Sequence, residues 1–135
     1  MLTFEEAKRC VADEKPGHSL TRTAQGQYRL ARPDGSWVGP PDSNLVRLLV
    51  VADVPIPVRD EDEATVAVQA KTNDYLLEAR QLSNGEKLVG TGTLLSEKRP
   101  GANPQTMPLH GIDDIRARGK TWKEALAPLG LRVCD

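Results

Sequence analysis

Apolar residues recur at helical spacing close to the start of the chain, directly after a helix-capping signal. Thr3 is followed three residues later by Glu6, and in such a capping box each side chain bonds the other residue's backbone N–H. Lys15-Pro16-Gly17 then supplies a stop signal. The pattern predicts a helix between these two signals, and its apolar face carries Phe4, Ala7, Cys10 and Val11.

A second capping box, Thr121 with Glu124, opens an apolar run near the other end of the chain. Before it, Ile112 and Ile115 are accompanied by Asp113 and Asp114 at the expected helix start and by Arg116 and Arg118 at its end, the charge order that a helix dipole favours. We therefore predict a C-terminal helical hairpin over residues 110–130, with Gly119 at its turn. The pair resembles the first two helices of a helix-turn-helix unit, and the chain ends where a recognition helix would begin.

Two regions contain short runs rich in strand-forming residues and separated by turn residues, as is typical of antiparallel strands. The first region predicts strands over 19–23, 27–32 and 36–38, divided by Gln25-Gly26 and Pro33-Asp34-Gly35. The second predicts strands over 65–70, 75–82 and 87–95. Asn84-Gly85 is a strong hairpin signal, although a helix over 74–82 competes with the middle strand.

Residues 40–58 are apolar on every side and are expected to be buried in either of two interpretations. A cap at Asp42 or Ser43 favours a helix over 44–52, whereas several valines favour a strand. We favour the helix because the Pro-Pro-Asp-Ser run before it is a start signal.

The two β regions are similar to one another. Residues 28–39 align with residues 75–90, and two interpretations stay open: a duplicated hairpin, or convergence of two strands and a turn. The alignment matches Tyr28 with Tyr75, Arg32 with Arg80 and Gly39 with Gly90.

Together these elements predict a single α+β domain over residues 1–135. We expect an antiparallel sheet of five or six strands, formed by the two β-meander or hairpin regions and packed by the N-terminal and central helices. Residues 98–108 contain three prolines and predict an exposed connector to the C-terminal hairpin.

Composition narrows the function classes. The chain is 39% hydrophobic and 27% charged, with a formal net charge of −1, which argues against a dedicated nucleic-acid binder but leaves a local basic face open. No apolar run approaches the roughly 20 residues that span a bilayer, and no signal peptide is evident, so we expect a soluble cytoplasmic protein with no membrane partner. Cys10 and Cys134 are expected to be free thiols; a bridge between them is the alternative.

Catalytic and metal-binding motifs are missing from the sequence. His18 and His110 have no cysteine or second histidine at ligand spacing, and no nucleophile elbow, phosphate loop or dinucleotide motif is present. We therefore expect no metal and no cofactor. Gly90-Thr91-Gly92 lies in a predicted strand, where such glycines indicate a bulge or bend more often than a ligand contact.

Three surfaces are candidates for binding a partner, and for each the alternative is an ordinary solvated surface. Residues 15–33 carry four cations and no acid, so a basic patch beside a tryptophan is the first: Arg22, Arg29, Arg32 and Trp37. An acidic run expected to lie in a solvent loop is the second: Asp60, Glu61, Asp62 and Glu63. The basic residues of the C-terminal hairpin are the third: Arg116, Arg118, Lys120 and Lys123.

These observations support three hypotheses about function. The first is a small non-enzymatic binding or regulatory protein that acts through protein–protein contacts. The second is a nucleic-acid-binding accessory protein that uses a local basic face or the C-terminal hairpin. The third is an enzyme whose site is assembled from residues distant in the sequence.

Overall fold

The computed structural model describes residues 2–91 and 115–134 of the chain. Over these residues it has an α+β fold with four α-helices, two antiparallel sheets and a 3₁₀ turn at Ala127–Leu129. The helices are α1 (Phe4–Glu14), α2 (Leu45–Val51), α3 (Glu61–Thr72) and α4 (Trp122–Leu126). The strands are β1 (Ser19–Arg22), β2 (Tyr28–Ala31), β3 (Leu77–Gln81), β4 (Lys87–Thr91) and β5 (Ile115–Gly119).

Side-chain caps start the helices at the positions where their first backbone N–H groups lack partners. Thr3 Oγ1 accepts from the N–H of Glu6 at 3.2 Å, and Thr121 Oγ1 accepts from the N–H of Glu124 at 3.1 Å. Thr3 and Thr121 therefore cap helices as predicted. The glutamates bond elsewhere: Glu6 Oε2 pairs with Arg59, and Glu124 Oε2 accepts from the N–H of Lys120. The helix predicted over 44–52 is also confirmed, with Asn44 rather than Asp42 or Ser43 as its cap.

Helix α3 corrects two expectations. The strand predicted over 65–70 lies inside this helix, and the acidic run forms its cap and first turn rather than a solvent loop. Asp60 Oδ1 accepts from the N–H of Glu63 at 2.8 Å, and carboxylates at a helix start are stabilised by the helix dipole. Local β propensity is overridden because Ala64, Ala67 and Val68 are fully buried on one side of the helix.

The strands form two sheets instead of the one sheet expected. β1 pairs with β2 alone, and β3, β4 and β5 form a separate antiparallel sheet in that order. The strand predicted over 36–38 contributes only an isolated bridge between Ala31 and Trp37. A register shift at Val89/Gly90 in the pairing of β4 with β5 agrees with the bulge expected there.

The first helix predicted for the C-terminal hairpin is a strand over its described part, β5. Ala117 is buried while Arg116 and Arg118 are exposed, which is the two-residue alternation of a strand and not a helical stripe. Gly119 ends β5 directly against α4, because a Cβ there would lie 2.7 Å from Glu124 Cβ. Residues 92–114, which include the predicted connector and His110, lie outside the described residues.

The two hairpins that align in the sequence have the same turn geometry. Asp34 Oδ1 accepts from the N–H of Ser36, and Asn84 Oδ1 from that of Glu86, each at 2.9 Å. Gly35 and Gly85 follow with φ of 88° and 89°, values that favour glycine. Turns of this kind recur in unrelated hairpins, so this geometry agrees with duplication and with convergence alike.

Side chains of α3 cover the outer edge of β3. Glu61 Oε2 accepts from the N–H of Gln81, Thr65 Oγ1 accepts from the N–H of Ala79, and Gln69 donates to the carbonyl of Leu77, at 2.9–3.1 Å. These helix residues are four apart and the strand residues two apart, so the two elements run side by side. The backbone groups of this edge are thereby closed to another strand.

Candidate functional site

The β1–β2 hairpin separates the arginines that the sequence grouped together. Its register places Arg22 opposite Tyr28 and Thr21 opposite Arg29, so Arg22 and Arg29 lie on opposite faces. The Arg22 guanidinium lies over the Tyr28 ring at 5.4 Å, on the same face as buried Leu20. A single patch that includes both arginines is therefore not assembled.

On the other face, Arg29 stacks on the Trp37 ring, and Arg32 bonds the Trp37 backbone from the turn. The bridge between Ala31 and Trp37 brings the tryptophan onto the face of Arg29, whose guanidinium lies 4.6 Å from the centre of the indole ring system. Arg32 Nη1 donates to the Trp37 carbonyl at 2.7 Å and to Ser36 Oγ at 3.3 Å. We call Arg29, Arg32 and Trp37 the Arg–Trp surface.

The Arg–Trp surface is both exposed to solvent and ordered. Trp37 is 48% exposed. Two hydrogen bonds from Ser36 to Asp34 Oδ1 fix the Pro-Asp-Gly turn that positions it, and the same bonds lower the pKa of the Asp34 carboxyl. The stack of guanidinium on indole contributes about 0.5–1 kcal/mol at an exposed site.

Three of the four residues in the acidic run serve the fold. Asp60 caps α3, Glu61 bonds the edge of β3, and Glu63 is only 7% exposed. The Glu63 carboxylate accepts from the N–H of Leu2 at 2.8 Å and from that of Arg59 at 3.1 Å. With both oxygens engaged, Glu63 ties two chain segments to α3 and is poorly placed to act as a general base.

The basic residues near the C-terminus do not form one group, although Arg118 and Lys120 line a shared pocket with Glu86 and Glu124. Arg116 and Arg118 are exposed on β5, and Arg118 approaches Glu86 at 4.0 Å. Lys120 and Lys123 instead line a cleft of about 430 Å³. Its described lining has two further cations and no carboxylate, and we call it the cationic cleft: Arg59, Lys87, Lys120 and Lys123, beside Trp122 and Cys134.

Sequence reasoning missed Arg59 and Lys87. Lys87 starts β4, whose pairing with β5 sets it opposite Gly119, and its ammonium lies 6.0 Å from the Trp122 ring. Arg59 reaches the cleft from the segment before α3 and pairs with Glu6 at 2.6 Å. No local signal indicates this grouping, because it depends on strand pairing between distant segments.

The described residues give no support to a metal site. They contain no group of three or more histidine, cysteine, aspartate or glutamate side chains that could hold an ion, and His18 is the one histidine among them. None of the described helices is long and apolar enough to cross a membrane.

Comparison with known proteins adds no functional information. No protein-family model, no curated protein and no solved structure matches this chain. Inference about function therefore depends on the two surfaces described above.

Proposed function

We propose that this protein is a small non-enzymatic binding protein that acts in the cytoplasm by docking a partner protein on the Arg–Trp surface. The observation that carries this proposal is Trp37, whose half-exposed indole stacks with the Arg29 guanidinium and whose backbone carbonyl accepts a hydrogen bond from Arg32. Tryptophan and arginine are the residue types that most often dominate binding energy at protein interfaces.

The side chains of the Arg–Trp surface are already ordered without a partner, which supports the same proposal. An exposed side chain normally loses rotamer freedom when a partner immobilises it, at about 0.5–1.5 kcal/mol for each flexible side chain. Here the Arg29 stack and the carbonyl bond from Arg32 already restrict both arginines and the indole. Less ordering is then needed on association, so more of the contact energy appears as affinity.

The positive charge of the Arg–Trp surface indicates the chemistry of its partner. Two of the four cations in residues 15–33, Arg29 and Arg32, belong to the Arg–Trp surface. A complementary partner presents carboxylates around an apolar pocket that accepts the indole, since potentials of opposite sign meet across interfaces.

The test is affinity capture from the native host, comparing wild type with single variants by quantitative mass spectrometry. We expect Arg29→Glu or Trp37→Ala to reduce the captured partner at least tenfold. Arg22→Glu is the matched control, because it makes the same charge change on the opposite face of the same hairpin. Equal capture by all three variants, each with a near-wild-type melting temperature, would contradict the proposal.

A second candidate function is binding of a polyanion such as RNA or DNA in the cationic cleft. Four cations line this cleft and its described lining has no carboxylate, although the whole chain has a net charge of −1. Each phosphate contact contributes a slope of roughly −0.7 to −0.9 to the logarithmic salt dependence of the binding constant. Lys87→Gln and Lys120→Gln should each reduce the slope by about one contact while Lys8→Gln leaves it unchanged. Binding that is insensitive to salt would exclude this candidate.

A further inference from the structure

One stripe of helix α1 faces the segment that ends the described chain. Glu6, Cys10 and Glu14 are four residues apart, so they lie one above another on the same side of the helix. Both carboxylates in this stripe are paired. Glu6 Oε2 lies 2.6 Å from Arg59 Nη2, and Glu14 Oε2 lies 3.0 Å from Arg132 Nη2.

The facing segment is extended and its side chains alternate. Leu131 and Val133 are buried, whereas Arg132 is exposed and Cys134 is half-buried. Ile56 fixes this segment in a parallel bridge: its N–H donates to the Arg132 carbonyl at 3.1 Å, and its carbonyl accepts from the Cys134 N–H at 3.0 Å. Arg132 and Cys134 therefore project to the same side, towards α1.

The spacings of the two elements match. Four residues of helix, from Glu14 back to Cys10, advance about 6 Å. Two residues of strand, from Arg132 to Cys134, advance about 6.6 Å. The ion pair between Glu14 and Arg132 thus sets Cys134 level with Cys10, and the pair between Glu6 and Arg59 lies one helical turn beyond.

The pKa of the Cys10 thiol reflects this arrangement. Burial is the main factor that raises its pKa above the ordinary value, and the neighbouring Cys134 thiol is the next. Both cysteines are free thiols in the structure. Cys134 also lines the cationic cleft, so a small molecule in that cleft reaches it directly.

We propose that Cys10 and Cys134 form a reversible disulfide by exchange with a low-molecular-weight disulfide. The Cys134 thiolate attacks one sulfur of that disulfide, which expels one thiolate and leaves a mixed disulfide on Cys134. The Cys10 thiol then loses its proton to solvent and attacks the Cys134 sulfur, which expels the second thiolate. The two protein thiols are oxidised by two electrons, and the small disulfide is reduced to two thiols.

This disulfide is a redox-controlled cross-link between α1 and the extended segment beside the cationic cleft. It closes a loop that contains nearly the whole chain, and long loops give the largest entropic stabilisation when they are cross-linked. Oxidation therefore rigidifies one wall of the cleft while leaving the Arg–Trp surface, on another part of the molecule, unchanged.

The experiment incubates the full-length protein with mixtures of reduced and oxidised glutathione and follows intact mass and peptide maps. We expect a monomer that has lost two hydrogen atoms, with the Cys10 and Cys134 peptides linked, and return to the dithiol with excess reduced glutathione. The oxidised monomer should melt about 5–10 °C above the reduced one. Oxidation that yields only disulfide-linked dimers, or only stable glutathione adducts on both cysteines, would overturn the proposal.

Moving the cysteine on α1 tests whether the fold aligns the two thiols or whether they meet by chance. Cys10→Ser combined with Ala12→Cys keeps one cysteine on α1 but moves it to an exposed position on another face. We expect the yield of intramolecular bridge at a fixed glutathione ratio to fall at least tenfold, with the glutathione adduct on Cys134 accumulating instead. Equal bridging by both proteins would show that chance encounter, and not the stripe on α1, brings the thiols together.

Discussion

The Arg–Trp surface and the cationic cleft are both basic, but they are built in different ways. Arg29, Arg32 and Trp37 lie within nine consecutive residues, and one strand and one turn set their positions. The cleft draws its cations from the segment before α3, from β4 and from the start of α4. The first surface therefore depends on the geometry of one hairpin, whereas the cleft exists only while β4, β5 and α4 stay docked.

The largest expected effect comes from removing the Trp122 indole, which lines the cationic cleft. Trp122 is 6% exposed, so Trp122→Ala leaves a large cavity and should destabilise the protein by about 3–4 kcal/mol. Urea unfolding measures this loss. Trp37→Ala is the control for deleting a tryptophan; because Trp37 is half-exposed, its cost should be below about 1.5 kcal/mol. Similar losses for both variants would mean that α4 is not docked as described.

The contact between β5 and α4 is the next test. A Cβ at position 119 would lie 2.7 Å from Glu124 Cβ and 2.8 Å from the backbone nitrogen of Ala125, so Gly119→Ala forces the helix away from the strand. We expect a loss of about 2–3 kcal/mol in the free energy of unfolding, as overpacking typically costs. Lys120→Ala, one residue along and exposed, should change it by less than about 0.5 kcal/mol. Any salt-dependent anion binding should weaken in Gly119→Ala while partner binding at Trp37 persists.

The cap of α4 gives a smaller effect on the same side of the molecule. Thr121 Oγ1 accepts from the Glu124 N–H, so Thr121→Ala should cost about 1 kcal/mol of stability. Thr121→Ser retains the hydroxyl and should recover most of the loss. If the alanine and serine variants unfold at the same urea concentration, the cap does not hold the helix.

The contrast between locally determined features and features that depend on long-range pairing also explains which elements the sequence could predict. Caps and turns are local: Thr3, Thr121 and the Pro-Asp-Gly turn were recognised because each needs only its nearest neighbours. The helix α3 was missed because its β-branched residues suit a strand unless they are buried against the β3–β4–β5 sheet. Strand β5 was missed because its charge order fits a helix dipole equally well, and only pairing with β4 decides between them.

The candidate sites divide in the same way. Residues of the Arg–Trp surface were proposed from sequence because they are neighbours along the chain, although the register then removed Arg22 from the face of Arg29. Arg59 and Lys87 were not proposed, because their proximity to Lys120 and Lys123 depends on long-range pairing. Cys10 and Cys134 were considered together only as an alternative, since their alignment depends on the pairing of Arg132 with Glu14.

The Arg–Trp surface itself predicts a small coupling energy. A double-mutant cycle of Arg29→Ala and Trp37→Ala should give about 0.5–1 kcal/mol for the stack, measured by urea unfolding. Lys15→Ala with Trp37→Ala serves as the control cycle, with coupling near zero. A coupling below about 0.3 kcal/mol for the first cycle would mean that the indole is not held in place before a partner arrives.

The smallest expected effect concerns the ion pair that links α1 to the cleft. The hydrogen bond and charge of Arg59 lower the pKa of the Glu6 carboxyl in the folded state. A carboxyl with a lowered folded pKa contributes stability above its unfolded pKa, and this contribution is lost as the pH falls through the folded pKa. Glu6→Gln should therefore lower the melting temperature slightly near neutral pH and have no effect in acid below the folded pKa. Glu5→Gln, on the exposed side of α1, is the matched control, and a deficit of the Glu6 variant that persists unchanged into acid would show that the pair contributes through packing and not through charge.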